Sequence, residues 1–155
     1  MISSDQVHIE LVERPIELTP LLDQLNDPDV GAHGWFFGVT RRNTDGRITA
    51  TLAYEAHQPM ALVALAEIAH LAIEKFLLTR VVIVHRLGRV PIGEASIVVG
   101  CCSPHRASTF AALPWIMDVI KKDVPIWKQE NYRDGTTLWV HPTDETAGLE
   151  DLSHE

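Results

Sequence analysis

Cysteine is scarce in this chain: only Cys101 and Cys102 occur, side by side, and sequence neighbours cannot close an unstrained disulfide. A disulfide-stapled fold is excluded. The pair ends the apolar run SIVVGCC, which reads as buried strand with structural thiols. A nucleophile or a metal site shared with His105 is the alternative, but no second ligand cluster supports it, so neither metal nor cofactor is expected. Long hydrophobic runs are also missing, and none approaches the ~20 residues of a membrane helix. The N-terminus, MISSDQVHIELVERP, lacks the charged-then-apolar order of an export signal, which makes a cytoplasmic location the expectation. Basic residues are outnumbered, 13 Lys+Arg against 21 Asp+Glu, for a net charge of -8. A general nucleic-acid binder, which needs a basic face, is thereby excluded. There is no Gly-rich P-loop, no HExxH and no GxSxG.

What is present is an ordinary globular composition, 46% hydrophobic and 22% charged over 155 residues, long enough for one domain with a sizeable core. Residues 1–142 are expected to form a single catalytic domain. Residues 143–155, acidic and poor in apolar side chains, are expected to be a flexible tail.

Periodicity predicts a strand at Val7–Leu11 and a short helix opened by Thr19-Pro20. A strand follows over 31–41, where glycines 34 and 38 point to a bulge or a close approach by another element. Asp45-Gly46 marks a reversal, and 48–55 returns as the hairpin partner. A long helix is predicted from Gln58 to about Leu78. Near-continuous apolar strands follow at 81–86 and 95–101, joined by the turn-rich LGRVPIGE. A second long helix begins at Ser103-Pro104 and runs to about Lys122, with Phe110, Leu113, Met117 and Ile120 on one stripe and a bend at Pro114. Thr137–Val140 is a last short strand. The order is α+β: two long helices against one mixed or antiparallel sheet.

The chemistry-bearing residues cluster around the second long helix. Ser103 and Pro104 form a cap-and-proline start, followed by His105 and Arg106 at the positive helix end, an arrangement that suits an anion. Lys121, Lys122 and Lys128 surround Pro125-Ile126-Trp127 at the other end. Two lysines facing one pocket would repel, depressing at least one pKa and making a base or nucleophile available near neutrality. On spacing alone, a solvated basic helix end, satisfied by its own dipole, is the better fit. With Arg41, Arg42 and Arg133, these cations would form a basic pocket in an acidic surface if the fold gathers them. Trp127 and Trp139 could flank a planar ligand or pack in the core. Glu55 and His57, beyond Tyr54, are either catalytic or a polar strand end.

Several strings, taken together, resemble the large, catalytic subunit of molybdopterin synthase: GAHGWFFGVTRRN, LAYEAHQPMA, VVIVHRLGRVPIGE, SPHRASTF, IMDVIKKDVPIWKQE and the closing LWV. They span roughly residues 31–140, and their combination carries the resemblance. It implies a hammerhead-type α/β fold and a homodimer within a heterotetramer. A small ubiquitin-like sulfur-carrier subunit would insert its C-terminal Gly-Gly tail as a thiocarboxylate. The implied reaction turns cyclic pyranopterin monophosphate (precursor Z) into molybdopterin by inserting two sulfurs. Implied substrate contacts are Val39, Thr40, Arg41, His105, Arg106, Lys121, Lys128, Gln129 and Glu130, with Lys121 and Lys128 as the catalytic pair. Three departures stand out: Thr40 where members commonly carry valine, Pro114 within a helix, and no arginine at His141-Pro142-Thr143. Some members place an arginine there for the neighbouring protomer; His141 or Arg133 would have to substitute. A non-catalytic anion-binding or assembly module on the same fold is the competing reading. A thiol enzyme using Cys102 and His105 is a third.

Overall fold

The computed structural model describes residues 1–140. The chain begins with β1 (Ile2–Ser3) and β2 (Val7–Val12), then helix α1 (Leu18–Gln24) and β3 (Ala32–Val39). A tight reversal at Asp45 and Gly46, both at positive φ, joins β4 (Asn43–Thr44) to β5 (Arg47–Ala56). Helix α2 (Gln58–Phe76), β6 (Arg80–Arg86), β7 (Gly88–Pro91) and β8 (Ala95–Ser103) follow. Helix α3 (Arg106–Asp123), β9 (Ile126–Tyr132) and β10 (Thr137–Val140) complete the described residues.

The α+β class holds, but the strands form two sheets rather than one. The first has the order β1-β2-β6-β8-β3, with β2 and β6 parallel and the other pairs antiparallel. The second has the order β10-β9-β5-β4, with β7 also on β5, and is antiparallel throughout. The expected hairpin between β3 and β5 does not form. Thr40, just after β3, is tied to the turn before β8: its N–H donates to the Glu94 carbonyl and its own carbonyl accepts from Gly93 N–H. The chain leaves the first sheet there, so β5 pairs with β9 instead.

The apolar runs of β6 and β8 are explained by burial on both faces. Val81, Ile83, Val99 and Cys101 face the main core under α2 and α3, while Val82, Val84, Val98 and Cys102 face α1. Ala61, Ala69 and Ala72 are fully buried on α2, where small side chains bring the helix close to its neighbours. His57 caps that helix, its Nδ1 accepting from Met60 N–H at 3.4 Å. Gly34 shows why β3 carries glycine: a Cβ there would meet Thr109 at 2.3 Å and Leu113 at 2.9 Å on α3. The register of β3 also shifts at Gly38/Val39, the expected bulge.

Two details of α3 differ from expectation. The helix starts at Arg106 with His105 as N-cap, because Ser103 is the buried last residue of β8 and spends its hydroxyl on the His105 carbonyl at 2.7 Å and on Thr109. The buried face is Thr109, Ala112, Ile116 and Ile120, and Phe110 is 67% exposed. Pro114 sits inside an element that continues on both sides of it. It removes the N–H that the Phe110 carbonyl would have accepted.

Candidate active site

The C-terminal end of α3 and the inner faces of the two sheets enclose a cavity of about 440 Å³. That volume falls within the range of small-molecule sites. Each wall has a distinct chemistry. The end of β3 brings Phe36, Phe37, Gly38 and Val39, with Arg41 beyond it; α3 brings Met117, Ile120 and Lys121. Strand β9 contributes Ile126, Lys128 and Glu130, three alternate residues on one face, and β5 contributes Leu52 and Tyr54. His85 and Ser96 come from β6 and β8, and Val140 closes β10.

Of the expected contacts, Val39, Arg41, Lys121, Lys128 and Glu130 converge on this cavity. The others lie elsewhere. Thr40 is buried, with its backbone bonded to Gly93 and Glu94 and its hydroxyl directed to the Val90 carbonyl, so it anchors the turn that carries Arg41. Gln129 points to the opposite face of β9, where its carbonyl accepts from Asn131. His105 and Arg106 start α3 while Lys121 lies fifteen residues further along it, roughly 22 Å away at the helical rise. A single small molecule cannot bridge that span within one chain. The expectation that one helix frames one site through both its ends is therefore corrected. Arg42, Lys122 and Arg133 also lie outside the cavity wall, so the basic pocket is smaller than expected. Trp127 and Trp139 share the outer face with Gln129 and are 42% and 49% exposed. They flank no ligand in the cavity. His141 lies outside the described residues.

The electrostatics centre on Lys128. Burial pushes its pKa down from the ordinary 10.5; Glu130 opposes this, and Lys121 and Arg41 add to it. The expected depression is present, though desolvation rather than lysine repulsion is its largest cause. Glu130 is buried and accepts from the Thr49 hydroxyl at 2.7 Å. That bond holds its side chain on the same face of β9 as Lys128, two residues away. The cysteines are buried and away from the cavity, and burial raises the Cys101 thiol to about 12, against a thiolate role.

Sequence reasoning passed over Tyr54, His85 and Ser96. A visible signal existed for His85, a titratable side chain closing the apolar run VVIV of β6. Its pKa falls to about 4 because burial disfavours the cation, so the ring is neutral near pH 7. Of the pair flagged beyond Tyr54, Glu55 lies on the outer sheet face beside Trp127 and His57 is the α2 cap.

The sequence pattern of the MoaE protein family matches residues 11–123. A molybdopterin synthase catalytic subunit of Emericella nidulans is 39% identical over 137 residues, covering 88% of this chain and 70% of that protein. One from Halalkalibacterium halodurans is 38% identical, covering 88% and 87%. Among solved structures, molybdopterin synthase from Staphylococcus aureus superposes with a TM-score of 0.81 at 33% identity, over 90% of this chain and 98% of that one. A two-subunit complex of molybdopterin-converting factor from Helicobacter pylori shares the fold, with a TM-score of 0.70 at 17% identity, over 85% of this chain and 89% of that one. With the family pattern over most of its length and relatives near 39% identity, the chain belongs to the MoaE family of molybdopterin synthase catalytic subunits.

Proposed function

We propose that the chain converts cyclic pyranopterin monophosphate into molybdopterin, taking sulfur from the thiocarboxylated C-terminal Gly-Gly of a small ubiquitin-like subunit. The observation that carries the reading is the convergence of Arg41, Lys121 and Lys128 on one cavity, with buried Glu130 beside Lys128. A cyclic phosphate needs cations, and opening it while a thiocarboxylate attacks needs proton transfer and stabilised oxyanions. A lysine with a depressed pKa exchanges protons nearer neutrality than a solvated one. Lys128 is accordingly the general acid/base. Lys121, at the helix end beside it, holds the tail carbonyl and the developing negative charge. Arg41 takes the phosphate. The non-catalytic module loses its ground on this reading, because both lysines share one cavity and burial tunes one of them.

His105 and Arg106 enter through a second copy of the chain. In a homodimer each helix start would stand at the partner's cavity, adding an anion site that one chain lacks. The deciding assay is reconstituted sulfur transfer with the thiocarboxylated small subunit and cyclic pyranopterin monophosphate. Lys128→Ala and Lys121→Ala are each expected to lower product formation at least a hundredfold, at about the scale of lost acid–base catalysis. Wild-type yield from Lys128→Ala rejects its role.

A further inference from the structure

The rim of the cavity carries cations, but its floor carries the opposite kind of group. His85 and Tyr54 lie there edge to face, ring centroids 4.9 Å apart at 69°. Hydrogen bonding settles which atoms carry protons. The Arg86 carbonyl can only accept, so the His85 Nδ1, 2.9 Å away, donates. The ring is neutral, which leaves Nε2 as a lone-pair acceptor. Ser96 follows the same logic. Its single hydroxyl proton goes to the Gly38 carbonyl at 3.2 Å. His85 and Ser96, from different strands and both lining one cavity, are thus held as acceptors by bonds to backbone carbonyls.

Such a floor does not suit a phosphate, whose oxygens would meet the lone pairs of His85 and Ser96. It suits the N–H edge of a heterocycle. We propose that His85 is a substrate-binding residue that accepts a hydrogen bond from a ring or amino N–H group of the pterin, orienting it with its phosphate at the cationic rim. This deepens the functional reading above and rests on it. The arrangement makes the cavity bipolar: donors and cations for the phosphate at the mouth, fixed acceptors for the ring at the base. A buried acceptor discriminates strongly, because a ligand lacking the N–H leaves the lone pair unpaired and desolvated.

The test compares binding of cyclic pyranopterin monophosphate and of phenyl phosphate, an aromatic phosphate with no N–H donor, by calorimetry. The proteins are wild type and His85→Phe, which keeps a ring of similar size. The substitution is expected to weaken the pterin about three- to tenfold, the loss of one neutral hydrogen bond, and to leave phenyl phosphate within twofold. In parallel, the unprotonated ring nitrogen of His85 in 15N-histidine-labelled wild-type protein should shift when the pterin is added and stay when phenyl phosphate is added. This signal decides the matter if a variant fails to fold. Equal pterin affinity in folded His85→Phe, or an unmoved nitrogen at saturation, overturns the proposal while leaving the functional reading intact. Failure of wild-type protein to bind the pterin overturns the functional reading, and this proposal with it.

Discussion

At the residue scale, burial sets the properties of the two titratable groups at the centre of the cavity. Lys128 and His85 are both bases whose charged forms are disfavoured by desolvation. For His85 the folded pKa is about 4 against 6.5 when unfolded, so between these values the unfolded chain binds more protons. Stability is then constant above pH 6.5, falls as pH drops toward 4, and levels off below. The gap corresponds to on the order of 3 kcal/mol. Urea titrations from pH 7.5 to 4 should show this slope in wild-type protein and a shallower one in His85→Phe. Lys128 works in the same direction at higher pH: its charged form costs stability at neutrality, and the cost fades as pH rises toward 10.5. Lys128→Met is therefore expected to raise Tm at pH 7 while abolishing turnover, with a smaller gain at pH 9.5. Thermal melts at both pH values check this; a fall in Tm at pH 7 would show that the amine's contacts outweigh its desolvation.

At the element scale, α3 and β9 decide the geometry of the cavity. Gly34 lets α3 lie close on β3, and Gly34→Val should cost about 1–3 kcal/mol, because its branches must displace Thr109 and Leu113 in a packed core. A chemical denaturation midpoint shifted by less than the error would show the helix free to move away. Pro114 is the opposite case. It lies on the exposed side of α3, and Pro114→Ala restores the bond to the Phe110 carbonyl, so it is expected to stabilise by up to about 3 kcal/mol, read as a higher Tm. Strand β9 is the longest of the strands that sequence periodicity did not reveal. Its inward positions are Ile126, Lys128, Glu130 and Tyr132, so two of the four sites where apolar residues would signal a strand are charged. Those two line the cavity. Charge at those two positions erased the pattern from which the strand would have been read.

At the scale of the whole molecule, the distance along α3 between its two cationic ends makes a testable demand. If one site draws His105 and Arg106 from one protomer and Lys121 and Lys128 from the other, Arg106→Ala and Lys128→Ala homodimers are each inactive. Unfolding and refolding them together at equal amounts should restore about a quarter of wild-type activity, since half of randomly paired dimers hold one intact site of two. Recovery near zero would mean that no site combines Arg106 of one protomer with Lys128 of the other. Elsewhere the described residues contain no helix long and apolar enough to cross a membrane, matching the lack of long apolar runs.

Local chemistry was legible from the chain itself. The two long helices, the doubly buried runs of β6 and β8, the reversal at Asp45-Gly46 and the close approach at Gly34 each follow from spacing or from residue size, and the family from strings spread over most of the length. What the tertiary structure decided is which of those residues meet. It withdrew Thr40 and Gln129 from the cavity wall, because a turn's hydrogen bonds and the alternation of a strand fix where each side chain points. It separated the two cationic ends of α3 by the rigid rise of the helix, and it brought His85, Tyr54 and Ser96 to one floor from three strands. Contacts between residues distant in sequence depend on how sheets pair and pack, and pairing leaves no mark in the local pattern of any one strand.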